Sequence, residues 1–250
     1  MIPNDAPISR ELRHSCDRRR VLRAGAALPL LGAAGLSLLP ALAFPAALTQ
    51  AQRDAMTPDD VIAMMRQGNE RFRRGQARHR DSLAEQRASA AGQHPAAVIL
   101  SCIDSRAPAE RIMDLGIGDI FNARVAGNVS NDDILGSMEF ACKLAGAKVV
   151  LVMGHTACGA IKGAIDNAEL GNLTGLLAKI KPAVAATDYS GLRSAKNYDF
   201  VDRVAKKNVE LTIDAIRKGS SVLAELEAKR SIRIVGAMYK LDTGAVDFYV

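Results

Sequence analysis

Two short runs constrain this chain more than anything else in it: Ala96-Ala97-Val98-Ile99-Leu100 and Val149-Val150-Leu151-Val152-Met153. Each is continuous, apolar and only about a strand long, so each reads as a strand covered on both faces, the mark of a parallel sheet. Parallel strands need crossover connections, and the sequence between and around the two runs supplies them. Ala107-Pro108-Ala109-Glu110 opens a helix with Pro near its first turn; residues Asp119 to Val125 read as a further strand and Asp132 to Leu144 as a helix. The pattern is βαβαβ. It predicts an α/β fold, a single domain around a mostly parallel β-sheet flanked by helices.

The flanking sequence adds arms and a closing hairpin. Thr57-Pro58-Asp59-Asp60 offers an N-cap, Pro at the first helical position and acids in the first turn, with Val61, Ile62 and Met65 at helical spacing and Gly75 as the stop. A second amphipathic stretch runs from about Ser82 to Ala91. These N-terminal helical arms precede the sheet, so they pack on it or on a partner subunit. Beyond the third strand, Gly163 to Ala186 reads as mostly helical, Ala186 to Tyr198 as a polar loop, Phe200 to Lys218 as a long amphipathic helix and Ser221 to Lys229 as a shorter one. Ile232 to Tyr239 is a strand, and Asp242-Thr243-Gly244 turns the chain back into Ala245 to Val250, a C-terminal β-hairpin.

Chemistry concentrates where two of these strands end. Ser101-Cys102-Ile103-Asp104-Ser105-Arg106 follows the first strand and Gly154-His155-Thr156-Ala157-Cys158-Gly159 follows the third. Ligands of open α/β sheets bind beyond the carboxyl ends of the strands, so both segments reach one rim if the two strands are neighbours. Two thiolates and one imidazole hold Zn²⁺ while leaving its fourth tetrahedral position open, as catalytic zinc sites require. Asp104 and Arg106 lie two and four residues past Cys102, within reach of that position. Gly159 is expected to turn the chain tightly into the next helix, whose terminal amides support the Cys158 sulfur. The competing reading is a Cys102–Cys158 disulfide, which leaves His155, Asp104 and Arg106 without a role. Cys142, between Phe140 and Leu144, reads as a small core residue; His79 and His94 read as exposed.

The amino terminus reads as an address. Of the net charge of +6, half comes from residues 1–43, where six arginines face Asp5, Glu11 and Asp17. The remainder is ordinary for a soluble domain, and no basic run is interleaved with aromatics, so no nucleic-acid role is expected. Asp17-Arg18-Arg19-Arg20 precedes an uncharged run from Ala24 to Gln52 broken by Pro29, Pro40 and Pro45, with small residues at Ala41-Leu42-Ala43. This is the pattern of a twin-arginine-type export signal over residues 1–43, followed by a linker over 44–56 and the domain over 57–250. It predicts a periplasmic or otherwise exported protein that meets the membrane only through its signal. The competing reading is an uncleaved anchor through residues 24–52. Export of a folded chain suits the cysteines: Cys16 leaves with the signal, and the remaining three cannot all pair, whereas a metal loaded in the reducing cytoplasm protects two of them.

Taken in order, the motifs carry a resemblance. Cys-x-Asp-Ser-Arg from Cys102, Gly-x-x-Phe-x-x-Arg-x-Ala-Gly-Asn from Gly118 to Asn128, Gly-Ser-Met-Glu-Phe from Gly136 to Phe140 and Gly-His-x-x-Cys-Gly from Gly154 to Gly159 resemble a β-class carbonic anhydrase, from about Thr57 to the carboxyl terminus. The resemblance implies a lyase that reversibly hydrates CO₂ to bicarbonate and a proton by attack of zinc-bound hydroxide. It implies one Zn²⁺ per chain on Cys102, His155 and Cys158, and a catalytic dyad of Asp104 and Arg106. It also implies that Asp104 joins the metal in a closed state found in part of the family, and that the chain forms a homodimer or homotetramer through its helical arms. Some members carry an inhibitory bicarbonate pocket built on a tryptophan; this chain has no Trp. Two other functions use the same ligands: a zinc hydrolase of carbonyl sulfide or carbon disulfide, and a non-catalytic zinc- or bicarbonate-binding protein, the latter expected to lose a dyad that is present here.

Overall fold

The computed structural model describes residues 47–249, so the segment read as an export signal, with its expected cleavage after Ala43, lies outside the described residues. The first helices are set by their caps. Thr49 and Gln52 form a capping box at α1, Gln50–Ala55, and Thr57 and Asp60 form another at α2, Pro58–Arg73, with Pro58 at the first position. Asp81 caps α3, Ser82–Ser89, through the amides of Leu83 and Ala84. Helix α1 falls inside the segment read as a linker. Its Arg53 is buried and donates to the Ala145 carbonyl, so packed structure extends ahead of Thr57.

The core follows as β1 (Ala97–Ser101), α4 (Ala109–Ile112), β2 (Ile120–Arg124), α5 (Asp132–Glu139) and β3 (Val149–His155). Helix α5 continues into one wide turn of π-helix, Phe140–Leu144. The segment expected to be mostly helical from Gly163 splits into α6 (Gly159–Ile165), α7 (Gly171–Ala178) and α8 (Lys181–Ala186). Left-handed residues at Asn167 and Gly171 break it first, and Pro182 fits only the first turn of α8. Then come α9 (Tyr198–Gly219), α10 (Ser221–Ala228), β4 (Arg233–Tyr239) and β5 (Val246–Tyr249).

The five strands form one sheet in the order β2-β1-β3-β4-β5, parallel except for β5, which returns antiparallel on β4. The apolar runs are continuous because each face of the sheet has its own cover. Ile99, Leu151 and Val235 face one core, filled by Val61, Ile62 and Met65 of α2 and Ile112 of α4. Val98, Val150 and Ile234 point the other way, against Val204, Val209 and Ile213 of α9. Successive strand residues alternate between these layers, and each fully buried aliphatic side chain contributes about 1.5–3 kcal/mol relative to exposure. Of the two options for the arms, α2 packs on its own sheet. Among the described residues no helix is long and apolar enough to cross a membrane.

Candidate metal centre

Neighbouring strands bring the two motif segments together. Strands β1 and β3 pair in parallel with Ser101 opposite Met153, so Cys102, the first residue past β1, emerges beside the end of β3. His155 is not past the end of β3, as expected from sequence, but is its last residue, in register with Tyr239 of β4. Pairing with β4 extends the strand beyond its apolar run. Cys158 is the N-cap of α6. The tight turn between the two ligands is made by Ala157, at φ +55°, and not by Gly159, which has an ordinary φ and open space around its Cα. Glycine is the usual left-handed residue, so sequence points to Gly159, whereas here hydrogen bonding holds an alanine in that conformation.

Three donor atoms converge. The ligand atoms of Cys102, His155 and Cys158 all lie within 4.8 Å of one another, and all three residues are buried. The two sulfurs are 4.0 Å apart and both thiols are free. That is twice a disulfide bond of about 2.05 Å and close to the roughly 3.8 Å that two sulfurs span across a tetrahedral zinc. His155 Nδ1 donates to the Thr156 carbonyl at 2.9 Å, which leaves the Nε2 lone pair for a metal; Nε2 is buried with no hydrogen-bond partner. An orphaned imidazole nitrogen facing two thiols is what a tetrahedral cation would satisfy, so the donor set fits Zn²⁺.

Charge at the centre is arranged around the sulfurs. The neighbouring Cys158 thiol, then the His155 imidazole beside it and the Gly127 and Asp104 amides, hold the Cys102 thiol down to about 4. Cys158 is pushed up by its contact with Cys102 and by burial, against the pull of the Ile161 and Ala160 amides at the start of α6. Burial opposes a charged His155, but the Cys102 sulfur, the Thr156 carbonyl and Asp104 together outweigh it and raise the imidazole. Both thiols must be deprotonated to hold a divalent cation, so Zn²⁺ binding would release protons from this pair.

Asp104 and Arg106 stand at the same rim. Asp104 Oδ1 accepts from Arg106 Nε at 3.0 Å and Oδ2 from Nη2 at 2.8 Å, a bidentate fork, while the Arg106 amide donates to Oδ1 at 2.9 Å. The guanidinium holds the Asp104 carboxyl well below the usual carboxylate range. Asp104 Oδ2 lies 3.8 Å from His155 Nε2, so the carboxylate borders the donor cluster while remaining in the arginine's grip. Arg124 clamps the backbone beneath, donating to the carbonyls of Cys102 at 2.9 Å and Asp104 at 2.6 Å. Cys142 is buried elsewhere in the core and burial alone pushes it up to about 12. His94 precedes β1, at the opposite edge of the sheet from the cluster, and His79 is exposed in the arm.

Several contributors were not visible in sequence. The Gly127 amide donates to Cys102 Sγ at 3.4 Å, and Asn208 of α9 donates to the Gly127 carbonyl at 2.7 Å. Gly127 sits at φ +69°, and a Cβ there would meet Ile180 Cδ1 at 2.5 Å. Asp202, also of α9, accepts the Ala157 amide at 2.8 Å. The motif around Gly127 signalled importance without a role; Asp202 and Asn208 carried no local signal at all.

The profile of the carbonic anhydrase family matches residues 97–246, which run from β1 to the start of β5 and include the donor cluster, Asp104 and Arg106. The chain belongs to that family. It is 37% identical over 186 residues to carbonic anhydrase 2 of Mycobacterium tuberculosis, covering 72% of this chain and 87% of that protein. Among solved structures it is similar to the β-carbonic anhydrase CafA of Aspergillus fumigatus, with a TM-score of 0.58 and 31% identity over 64% of this chain and 78% of that one. A tetrameric β-carbonic anhydrase of Sordaria macrospora aligns with a TM-score of 0.56 and 25% identity, over 64% and 82% of the two chains. The single α/β domain with a mostly parallel sheet, read from the continuous strand runs and the helices between them, is thus the fold of these β-carbonic anhydrases.

Proposed function

We propose that this carbonic anhydrase catalyses the reversible hydration of CO₂ to bicarbonate and a proton with one Zn²⁺ per chain. The observation that carries it is the buried Cys102–His155–Cys158 cluster with its orphaned imidazole nitrogen, bordered by an ionised Asp104. When bound, Zn²⁺ supplies the Lewis acidity that brings hydroxide within reach near neutral pH. Cys102, His155 and Cys158 hold it. Asp104, kept ionised and oriented by Arg106, accepts a hydrogen bond from the attacking water, so that an oxygen lone pair is aimed at the carbon of CO₂. Arg106 is the gatekeeper of that carboxylate: released from the fork, Asp104, 3.8 Å from His155 Nε2, would be free to join the three ligands and close the site.

The test is a CO₂ hydration assay on zinc-quantified protein, with carbonyl sulfide in parallel, for the wild type, Asp104→Ala and Arg106→Ala. Arg106→Ala is expected to keep its zinc and lose most of its turnover; undiminished turnover would show that the dyad does not work this way. Hydrolysis of carbonyl sulfide and non-catalytic bicarbonate binding are not favoured, because the relatives described above are carbonic anhydrases and both dyad residues are in place.

Assembly as a homodimer or homotetramer is supported by the tetrameric Sordaria relative, and light scattering on the purified protein tests it. Export through a twin-arginine-type signal rests on the sequence of residues 1–43. Replacing Arg18, Arg19 and Arg20 together by Lys should strand the precursor in the cytoplasm, and unchanged periplasmic delivery on fractionation would remove that reading.

A further inference from the structure

The link between the second and third donors holds a left-handed alanine at the rim. His155 ends a strand, Cys158 begins a helix, and the two residues between them must reverse the chain. Ala157 does so at φ +55°, a conformation that an L-residue enters only when its surroundings hold it there. The group that holds it is identifiable: Asp202 Oδ1, which accepts the Ala157 amide at 2.8 Å.

Asp202 is not serving its own helix. The first turn of α9 already has Asp199 as its acid and Asn197 as its cap, so Asp202 adds nothing that the helix terminus lacks. Burial pushes its carboxyl up, with the Ala157 amide pulling the other way, so the site keeps a carboxylate where a charge is costly. Its placement is rigid. Val201, Val204 and Ala205 around it are buried, and α9 lies so tightly on β3 that a Cβ at Gly154 would meet Val209 Cγ2 at 2.8 Å. The same helix reaches the first donor by a parallel route, since Asn208 holds the Gly127 carbonyl and the Gly127 amide faces Cys102 Sγ. Two left-handed residues, one beside each half of the cluster, are thus caught by two polar side chains of one helix.

We infer that Asp202 is a positioning residue of the metal centre, locking the His155–Cys158 turn through the Ala157 amide so that imidazole and thiolate face a common point. The inference rests on the reading of Cys102, His155 and Cys158 as the metal ligands. Outer partners of this kind, when removed, cost about 10–100-fold in metal affinity.

The experiment uses the purified full chain and reads metal directly: zinc affinity by chelator competition, the visible spectrum of the Co²⁺-loaded protein, and thermal unfolding of the metal-free form. Asp202→Ala should weaken zinc binding by about tenfold or more and alter the Co²⁺ spectrum. Asp202→Asn keeps an oxygen acceptor for the Ala157 amide and should stay within about threefold of wild type with an unaltered spectrum. Glycine enters the left-handed region without penalty, so adding Ala157→Gly to Asp202→Ala should recover most of the loss. A zinc affinity within about threefold of wild type in Asp202→Ala, or an unaltered Co²⁺ spectrum, overturns the inference. So does a loss that Asp202→Asn shares in full, or one that Ala157→Gly leaves untouched, because either would trace to charge or general folding. A fall in metal-free unfolding temperature alone marks a merely structural role and also overturns it. If the wild type binds neither metal, the metal-site reading fails instead.

Discussion

Two regions of this molecule pair arginine with carboxylates, and they are built differently. Under the N-terminal arm, Arg80 Nη1 meets Glu85 at 2.7 Å and Asp119 at 3.6 Å, and Arg71 meets Asp114 at 2.5 Å. Backbone amides complete these carboxylates: Ile117 donates to Glu85, Gly116 to Asp119 and Arg78 to Asp114. The side chains of Glu85, Asp114 and Asp119 are at most 9% exposed. At the metal rim, Asp104 is 15% exposed, gripped by Arg106 on one side and open toward His155 Nε2 on the other, while Arg106 itself is 58% exposed. A carboxylate satisfied all round holds structure together. One satisfied on a single side has capacity left for chemistry.

The sharpest way to break the contrast is to remove a metal ligand. Cys158→Ala should lose its zinc and with it essentially all CO₂ hydration, whereas the arm cluster should be unaffected; full zinc by elemental analysis would contradict the ligand assignment. Next in size is Glu85→Ala, which takes away the nearest carboxylate of Arg80 and the acceptor of the Ile117 amide, leaving Asp119 at 3.6 Å, and should cost about 3 kcal/mol in chemical denaturation. Its zinc content and turnover per folded chain should stay at wild-type values, and a turnover defect would mean that the two regions are coupled.

Asp104→Ala should reverse that outcome, with turnover down roughly a hundredfold, equivalent to about 2.7 kcal/mol, and little change in stability, because its arginine partner is solvent-screened. Its pH behaviour has a definite sign. A carboxyl held below its unfolded value is fully ionised above that value and is lost only as pH falls through the lower, folded one. Asp104 is therefore ionised from about pH 5 upward. The rise in activity toward alkaline pH expected of a two-thiolate zinc site, whose ligands cancel the metal's charge, should keep its midpoint in Asp104→Asn. A shifted midpoint would assign that limb to Asp104.

The smallest effect separates the thiols. Cys142, pushed up to about 12, should stay silent to thiol reagents at pH 7 in the native protein, while chelating the zinc should uncover reactivity at Cys102, held down to about 4. Cys142→Ala should leave that labelling unchanged and cost about 1 kcal/mol of stability. Labelling of Cys142 in the folded chain would show that its pocket opens.

What the sequence determined by itself is what depends on neighbours along the chain. The double-faced strands, the Thr57 cap and first turn of α2, the hairpin through Asp242-Thr243-Gly244 and the spacing of Cys102, Asp104, Arg106, His155 and Cys158 are local patterns, and short-range geometry enforces them. What only the tertiary structure decided depends on residues that meet across long loops. The adjacency of β1 and β3 makes one site of two segments; Ala157 meets Asp202 at a separation of 45 residues, and Gly127 meets Asn208 at 81. An aspartate in a helix looks like any solvated charge until the turn it holds is folded against it, and an alanine discloses no left-handed backbone. Hydrogen bonds between distant residues form only once the packed sheet has placed both partners, so no periodicity or motif within either segment can announce them.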